Sequence, residues 1–137
     1  MHAPDLAFLT RKVRIYFPFA TEFPAEMLAL GGLPEARINE ARSLPLVRVA
    51  KTGGEVIGAY LIAPEAGPRY RLEALAVVPA YRGRGVGSWL IGHAIGVAEA
   101  KGGRIIVCTA GTPADSLLDR LGFTCTSGER VLELTPE

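Results

Sequence analysis

Charged and apolar residues alternate over Lys12-Val13-Arg14-Ile15-Tyr16-Phe17, the period of a half-buried strand, which Pro18 closes. The pattern then changes. Over residues 24–43, Met27, Leu28, Leu30 and Leu33 cluster at helical spacing behind Pro24, which suits a first turn. Gly31, Gly32 and Pro34 split that region into two short helices, the second near 34–42. Extended runs return at Leu46–Ala50 and Val56–Ala63. The Gly53-Gly54 pair between them accepts positive φ and predicts a hairpin. After a turn at Pro64–Pro68 comes a third strand, Tyr70–Val78, ended by Pro79.

A long helix follows over Val86–Lys101, closed by Gly102-Gly103. Arg104–Thr109 is β-branched and reads as a buried strand. Thr112-Pro113 opens a short helix, with Thr as N-cap, and Gly122 ends it. Phe123–Thr126 and Arg130–Leu134 pair around Ser127-Gly128. The order is β-αα-β-β-β-α-β-α-β-β. The helix between the strands at 70–78 and 104–109 implies a parallel crossover. The remaining neighbours are mostly joined by hairpins. The predicted fold is α/β (α+β): a mixed, mostly antiparallel sheet with helices on both faces.

Length fits this picture. The 137 residues make one domain, 1–137, large enough to fold without disulfides or metal. Apolar residues form 49% and charged residues 21%, against disorder. A net charge of +1 excludes a strong nucleic-acid binder or a polybasic membrane anchor. The longest apolar stretch, Val86 to Ala98, is too short to span a bilayer. Cys108 and Cys125 both lie on predicted strands, so buried free thiols and a cytoplasmic setting are expected. His2 and His93 stand alone, and no metal-ligating spacing occurs.

Chemistry concentrates where the third strand runs into the long helix, at Val77-Val78-Pro79-Ala80-Tyr81-Arg82-Gly83-Arg84-Gly85-Val86-Gly87-Ser88. Alternate glycines leave backbone N–H groups uncovered beside a helix N-terminus, an anion cradle. Arg82 and Arg84 add positive charge, and a phosphate or pyrophosphate is the natural guest. The nucleotide motifs do not fit. Gly87 is followed by Ser88 and Trp89 rather than Lys-Ser/Thr, and no G-x-G-x-x-G starts at Gly83 or Gly85. The spacing that fits is R-x-x-G-x-G at Arg82, Gly85 and Gly87.

That loop, following Leu75-Ala76-Val77-Val78-Pro79-Ala80-Tyr81, resembles the acetyl-CoA-binding motif of the GNAT N-acetyltransferases. Leu121-Gly122-Phe123 resembles the family's common ending, and the similarity covers about residues 46–135. The resemblance implies specific roles. Backbone of Leu75 and Val77 pairs with the pantetheine arm, with Ala76 between them in the cofactor site, and an N–H near Val77 polarises the thioester carbonyl. Amides of Arg82, Gly83, Arg84, Gly85, Val86, Gly87 and Ser88 hold the pyrophosphate. The strands at 70–78 and 104–109 splay to admit the acyl group. A homodimer is implied by the resemblance alone.

Acetyl transfer to an amine needs a neutral nucleophile, and a lysine-type amine has a pKa of about 10.4. Glu73 is the candidate base, on the face of Leu75 and Val77 by period-two counting. Its structural alternative is an edge carboxylate paired with Arg69 or Arg71, and a base elsewhere or a water chain stays open. The family often carries a Tyr acid four residues before the Gly of Gly-Phe, but here Leu118 stands there. Ser116, another hydroxyl or water would protonate the leaving thiolate. The expected activity is acetyl transfer from acetyl-CoA to a primary amine of a small molecule or amino-acid derivative, rather than a protein. The alternative is a catalytically weak or inactive acyl-CoA-binding module. The acceptor would enter near residues 18–45, where Glu22, Glu26, Glu35 and Glu40 face Arg37 and Arg42.

Overall fold

The computed structural model describes residues 6–43, 46–109 and 114–134. It opens with helix α1, Leu6–Lys12, then β1, Arg14–Tyr16, and a 3-10 turn at Ala20–Glu22. Helices α2, Ala25–Leu30, and α3, Glu35–Ala41, follow. The strands β2, Val47–Thr52, β3, Glu55–Pro64, and β4, Arg69–Val77, come next. A 3-10 turn at Pro79–Tyr81 leads to α4, Val86–Ala100, and β5, Ile105–Thr109. The chain closes with α5, Asp115–Arg120, β6, Thr124–Thr126, and β7, Glu129–Glu133.

Seven strands form one sheet in the order β1-β2-β3-β4-β5-β7-β6. All neighbours are antiparallel except β4 and β5, as the intervening α4 predicts. Gly53 and Gly54 turn the β2–β3 hairpin with φ of +55° and +85°. Ser127 and Gly128, at +51° and +79°, do the same between β6 and β7.

The first element differs from the sequence expectation. Lys12 ends a helix instead of starting a strand, and only Arg14–Tyr16 pairs with β2. Leu9 and Val13, four residues apart, are both nearly fully buried. Their burial anchors the helix to the core before the chain turns into β1. Cys125 is also corrected. It is exposed, because β6 is a three-residue strand at the sheet edge, whereas Cys108 on central β5 is buried as expected. The proposed Thr112 cap lies outside the described residues.

Helices cover both faces of the sheet. Gly58 and Tyr60 of β3 point to α4, where the Tyr60 hydroxyl lies 2.7 Å from His93 Nδ1. Ile57, Ala59 and Leu61 alternate to the opposite face, are 0% exposed, and lie under α2. Burial pushes the Tyr60 hydroxyl pKa up and holds His93 below its ordinary value, with Arg48 nearby acting against the charge on His93. His93 thus packs α4 against Tyr60 of β3.

Gly58 is where α4 crosses closest. A Cβ there would stand 2.8 Å from Leu90 Cδ1 and 3.1 Å from the Ala76 carbonyl oxygen. Gly58→Ala is expected to destabilise the fold by about 1–3 kcal/mol, the usual cost of overpacking. It would be read as a lower urea midpoint at unchanged slope. An unchanged midpoint would show that α4 can retreat without loss.

Candidate active site

The site begins with a fault in the sheet. Leu61 pairs with Ala74 and Ile62 with Leu72, so Glu73 is one extra residue on β4, a β-bulge. On its other side β4 pairs with β5 for only three positions, Arg69↔Ile105 to Arg71↔Val107. β5 stays paired with β7 through Thr109. From Leu72 to Val77, β4 therefore has no strand partner on that side among the described residues, and the two strands part there.

The direction of the exposed amides follows from the ladder. Val78 N–H donates to the Ile57 carbonyl, so Ala76, two residues back, also faces β3. Leu75 and Val77 lie between them in phase and turn their N–H and C=O groups toward the gap. Arg82 Nε donates to the Val77 carbonyl across 2.9 Å, which agrees with that direction. The open edge offers the donors and acceptors of an incoming strand.

The edge runs directly into the glycine turn. Gly83 and Gly85 have φ of +78° and +90°, a conformation that favours glycine, and Gly85 immediately precedes α4. No side chain caps this helix. The N–H groups of Val86, Gly87 and Ser88 have no helical partners, and the macrodipole adds positive potential. Gly87 faces α5: a Cβ there would lie 3.1 Å from Leu117 Cδ2.

These parts surround a cleft of about 1040 Å³. Its floor is β4 from Arg71 to Val77, and one end is the loop and start of α4. Leu30 to Pro34, joining α2 to α3, forms one wall, while Cys108, Thr109, Leu117 and Arg120 form the other. All the expected cofactor residues except Arg84 line it. The Arg84 guanidinium instead lies 3.7 Å from the Phe8 ring centroid and 5.8 Å from that of Tyr81. This stack ties α1 to the loop, and α1 was the element the sequence reading missed. Sequence reasoning also passed over Arg120, which the last turn of α5 presents to the cleft. Its signal is its place two residues before Gly122, on the helix edge that also carries Leu117 and Leu121.

The two expected catalytic residues part company. Glu73 lines the cleft and its side chain is 17% exposed. Its partner is neither Arg69 nor Arg71. Arg37 of α3 grips it in a fork, Nε to Oε1 at 2.9 Å and a terminal nitrogen to Oε2 at 2.5 Å, while its other terminal nitrogen reaches Glu40. Arg69 and Arg71 instead pair with Glu65 and Glu129. Ser116 is exposed and does not line the cleft. Leu118 is 0% exposed, so the position where the family often has Tyr is part of the core. Cys108 reaches the cleft wall, and burial pushes its thiol pKa up.

Of the carboxylates before β2, Glu22 pairs with Lys51 and Glu40 with Arg37. No group of three or more metal-ligating side chains comes together among the described residues. Within them, no helix is long and apolar enough to cross a membrane.

Solved structures share this fold. An IAA acetyltransferase from Bacillus cereus superposes with a TM-score of 0.75 at 23% identity, over 89% of this chain and 99% of that one. A GNAT family acetyltransferase from Elizabethkingia anophelis, solved with acetyl-CoA bound, gives 0.79 at 20% identity, over 90% and 99%. N-acetylglutamate synthase from Neisseria gonorrhoeae, complexed with coenzyme A and L-arginine, gives 0.80 at 18% identity. That match covers 91% of this chain and 34% of the synthase. No curated protein matches the sequence. The model of the Acetyltransferase (GNAT) family matches residues 10–123, spanning β4, the glycine turn, α4 and α5, and the chain belongs to that family.

Proposed function

We propose that the protein transfers an acetyl group from acetyl-CoA to a primary amine of a small molecule or amino-acid derivative, by direct attack on the thioester. The observation that carries this reading is the unpaired β4 edge from Leu72 to Val77, continuous with the uncapped start of α4. An arm bearing amides and a pyrophosphate matches both parts in that order. The residues present fit coenzyme A. Val77 would pair with the pantetheine amides, Leu75 would meet the thioester end of the arm, and the Arg82–Ser88 backbone would hold the pyrophosphate. The remaining nitrogens of Arg82 would supply charge-assisted donors at that end, and Arg120 adds a cation on the cleft wall.

Bound acetyl-CoA supplies an activated acyl carbon and a leaving thiolate. The chain must accept the proton of the attacking amine and stabilise the developing oxyanion. Glu73 stands on the cleft floor, and Arg37 fixes its orientation. Two of its four lone-pair sites accept from Arg37, leaving two for the amine or an intervening water. A thiol pKa of about 8.5 makes the thiolate a tolerable leaving group at neutral pH. Water can therefore return its proton, and neither Ser116 nor Leu118 is needed.

The burial of Leu118 and the outward position of Ser116 also motivate a second reading: an acyl-CoA-binding module with weak or no catalysis. Calorimetric titration with CoA, followed by thiol-release assays with acetyl-CoA and a broad panel of primary amines, separates the two. Binding with turnover of a small amine is expected. Binding without turnover across the panel favours the module, and no CoA binding overturns both readings.

A further inference from the structure

Two glycines end α2, and they serve different purposes. Gly32 has φ of +95°, the left-handed residue that turns the chain out of the helix. Gly31 has φ of −76° and ψ of 4°, a conformation open to any residue. Space, not backbone freedom, is the reason for a glycine there. A Cβ on Gly31 would stand 3.1 Å from both the backbone nitrogen and oxygen of Leu75 and 3.3 Å from Ala74 Cβ. These are the Leu75 groups that face the gap between β4 and β5.

The helix end is not free to move away. Gly31 N–H donates to Met27 O, and Leu33 N–H to Leu28 O, while Leu28 and Leu33 are core residues at 1% and 6% exposure. Resting on the acetyl-CoA reading above, the position of the loop also fixes which amide meets the acyl group. An arm anchored at residues 82–88 passes Val77 first and brings its far end to Leu75, beside the Glu73 bulge. We infer that Gly31 is a specificity-determining position: its missing side chain keeps the Leu75 N–H open to a thioester carbonyl, so that the protein distinguishes acyl-CoA from CoA at this amide.

Calorimetry with CoA, acetyl-CoA and S-ethyl-CoA tests this, the last having the size of acetyl-CoA without its carbonyl. The native protein should bind acetyl-CoA about tenfold more tightly than S-ethyl-CoA, the weight of one net hydrogen bond. Gly31→Ala should erase that preference and leave CoA affinity within about twofold. Equal weakening of all three ligands would assign Gly31 a purely structural role and overturn the inference. So would equal weakening of both S-substituted ligands with the preference intact, or no change in any. A native protein that binds CoA but shows no preference for the carbonyl also overturns it, while leaving the acetyl-CoA reading standing. Failure to bind CoA at all overturns both.

Discussion

Gly85→Val is expected to lower acetyl-CoA affinity by about 10²-fold or more, equivalent to losing two charge-assisted hydrogen bonds. Gly85 sits at φ of +90°, immediately before the first turn of α4. A β-branched residue in that region is a steric outlier. It must either stay and bear the strain or return to negative φ. Returning would re-aim the peptide that leads into Val86, and with it the first free N–H groups of the helix. Both outcomes spoil the cradle, the first also by filling it. The strain itself would lower stability, so a control is needed. Gly67 has φ of +64° with open space around it and does not line the cleft. Gly67→Val should cost comparable stability, read as a lower melting temperature, and leave acetyl-CoA affinity within about twofold. If both variants bind acetyl-CoA like the native chain, the glycine turn is not the phosphate site.

The same glycine turn explains why this part of the site was legible in the sequence. The requirements of Val77 to Ser88 are local: a strand, positive-φ glycines and an uncapped helix, all within twelve consecutive residues. The α4 start at Val86 and the β4 end at Val77 were read to within one residue. What the sequence hid depends on distant partners. Arg37 and Glu73 are 36 positions apart, and period-two counting placed Glu73 on a face without showing that a helix would deliver its counter-ion. Nor does periodicity show the bulge, because a bulge is a mismatch with β3 and not a property of β4 alone. Nor does the loop sequence show that Phe8 of α1 lies beside the Arg84 guanidinium. Cys125 is exposed because its strand is at an edge, and strand order is decided by the whole sheet. Alternation alone would have made it as buried as Cys108.

Glu73→Gln is expected to lower kcat by about 10²-fold or more, the usual weight of a general base, with acetyl-CoA affinity within about twofold. The substitution preserves shape but removes the proton acceptor. It also turns a charge-assisted fork with Arg37 into a neutral, partly mismatched contact, so lower activity by itself would not separate chemistry from positioning. Arg37→Met makes that separation. It removes the fork and leaves the carboxylate, now free to swing on the cleft floor. If Glu73 only braces α3 through Arg37, both variants lose the same contact and should lose activity and melting temperature to the same degree. If Glu73 takes the proton, Glu73→Gln should lose at least tenfold more kcat than Arg37→Met, at a similar change in melting temperature. The bulge favours this second outcome on physical grounds. An extra residue at 73 is unpaired on β3, and it points an ionisable side chain onto the cleft floor two residues before the open amide of Leu75. A structural ion pair alone would not require that interruption of the ladder. Unchanged turnover in Glu73→Gln would remove Glu73 from the reaction and leave the proton to water.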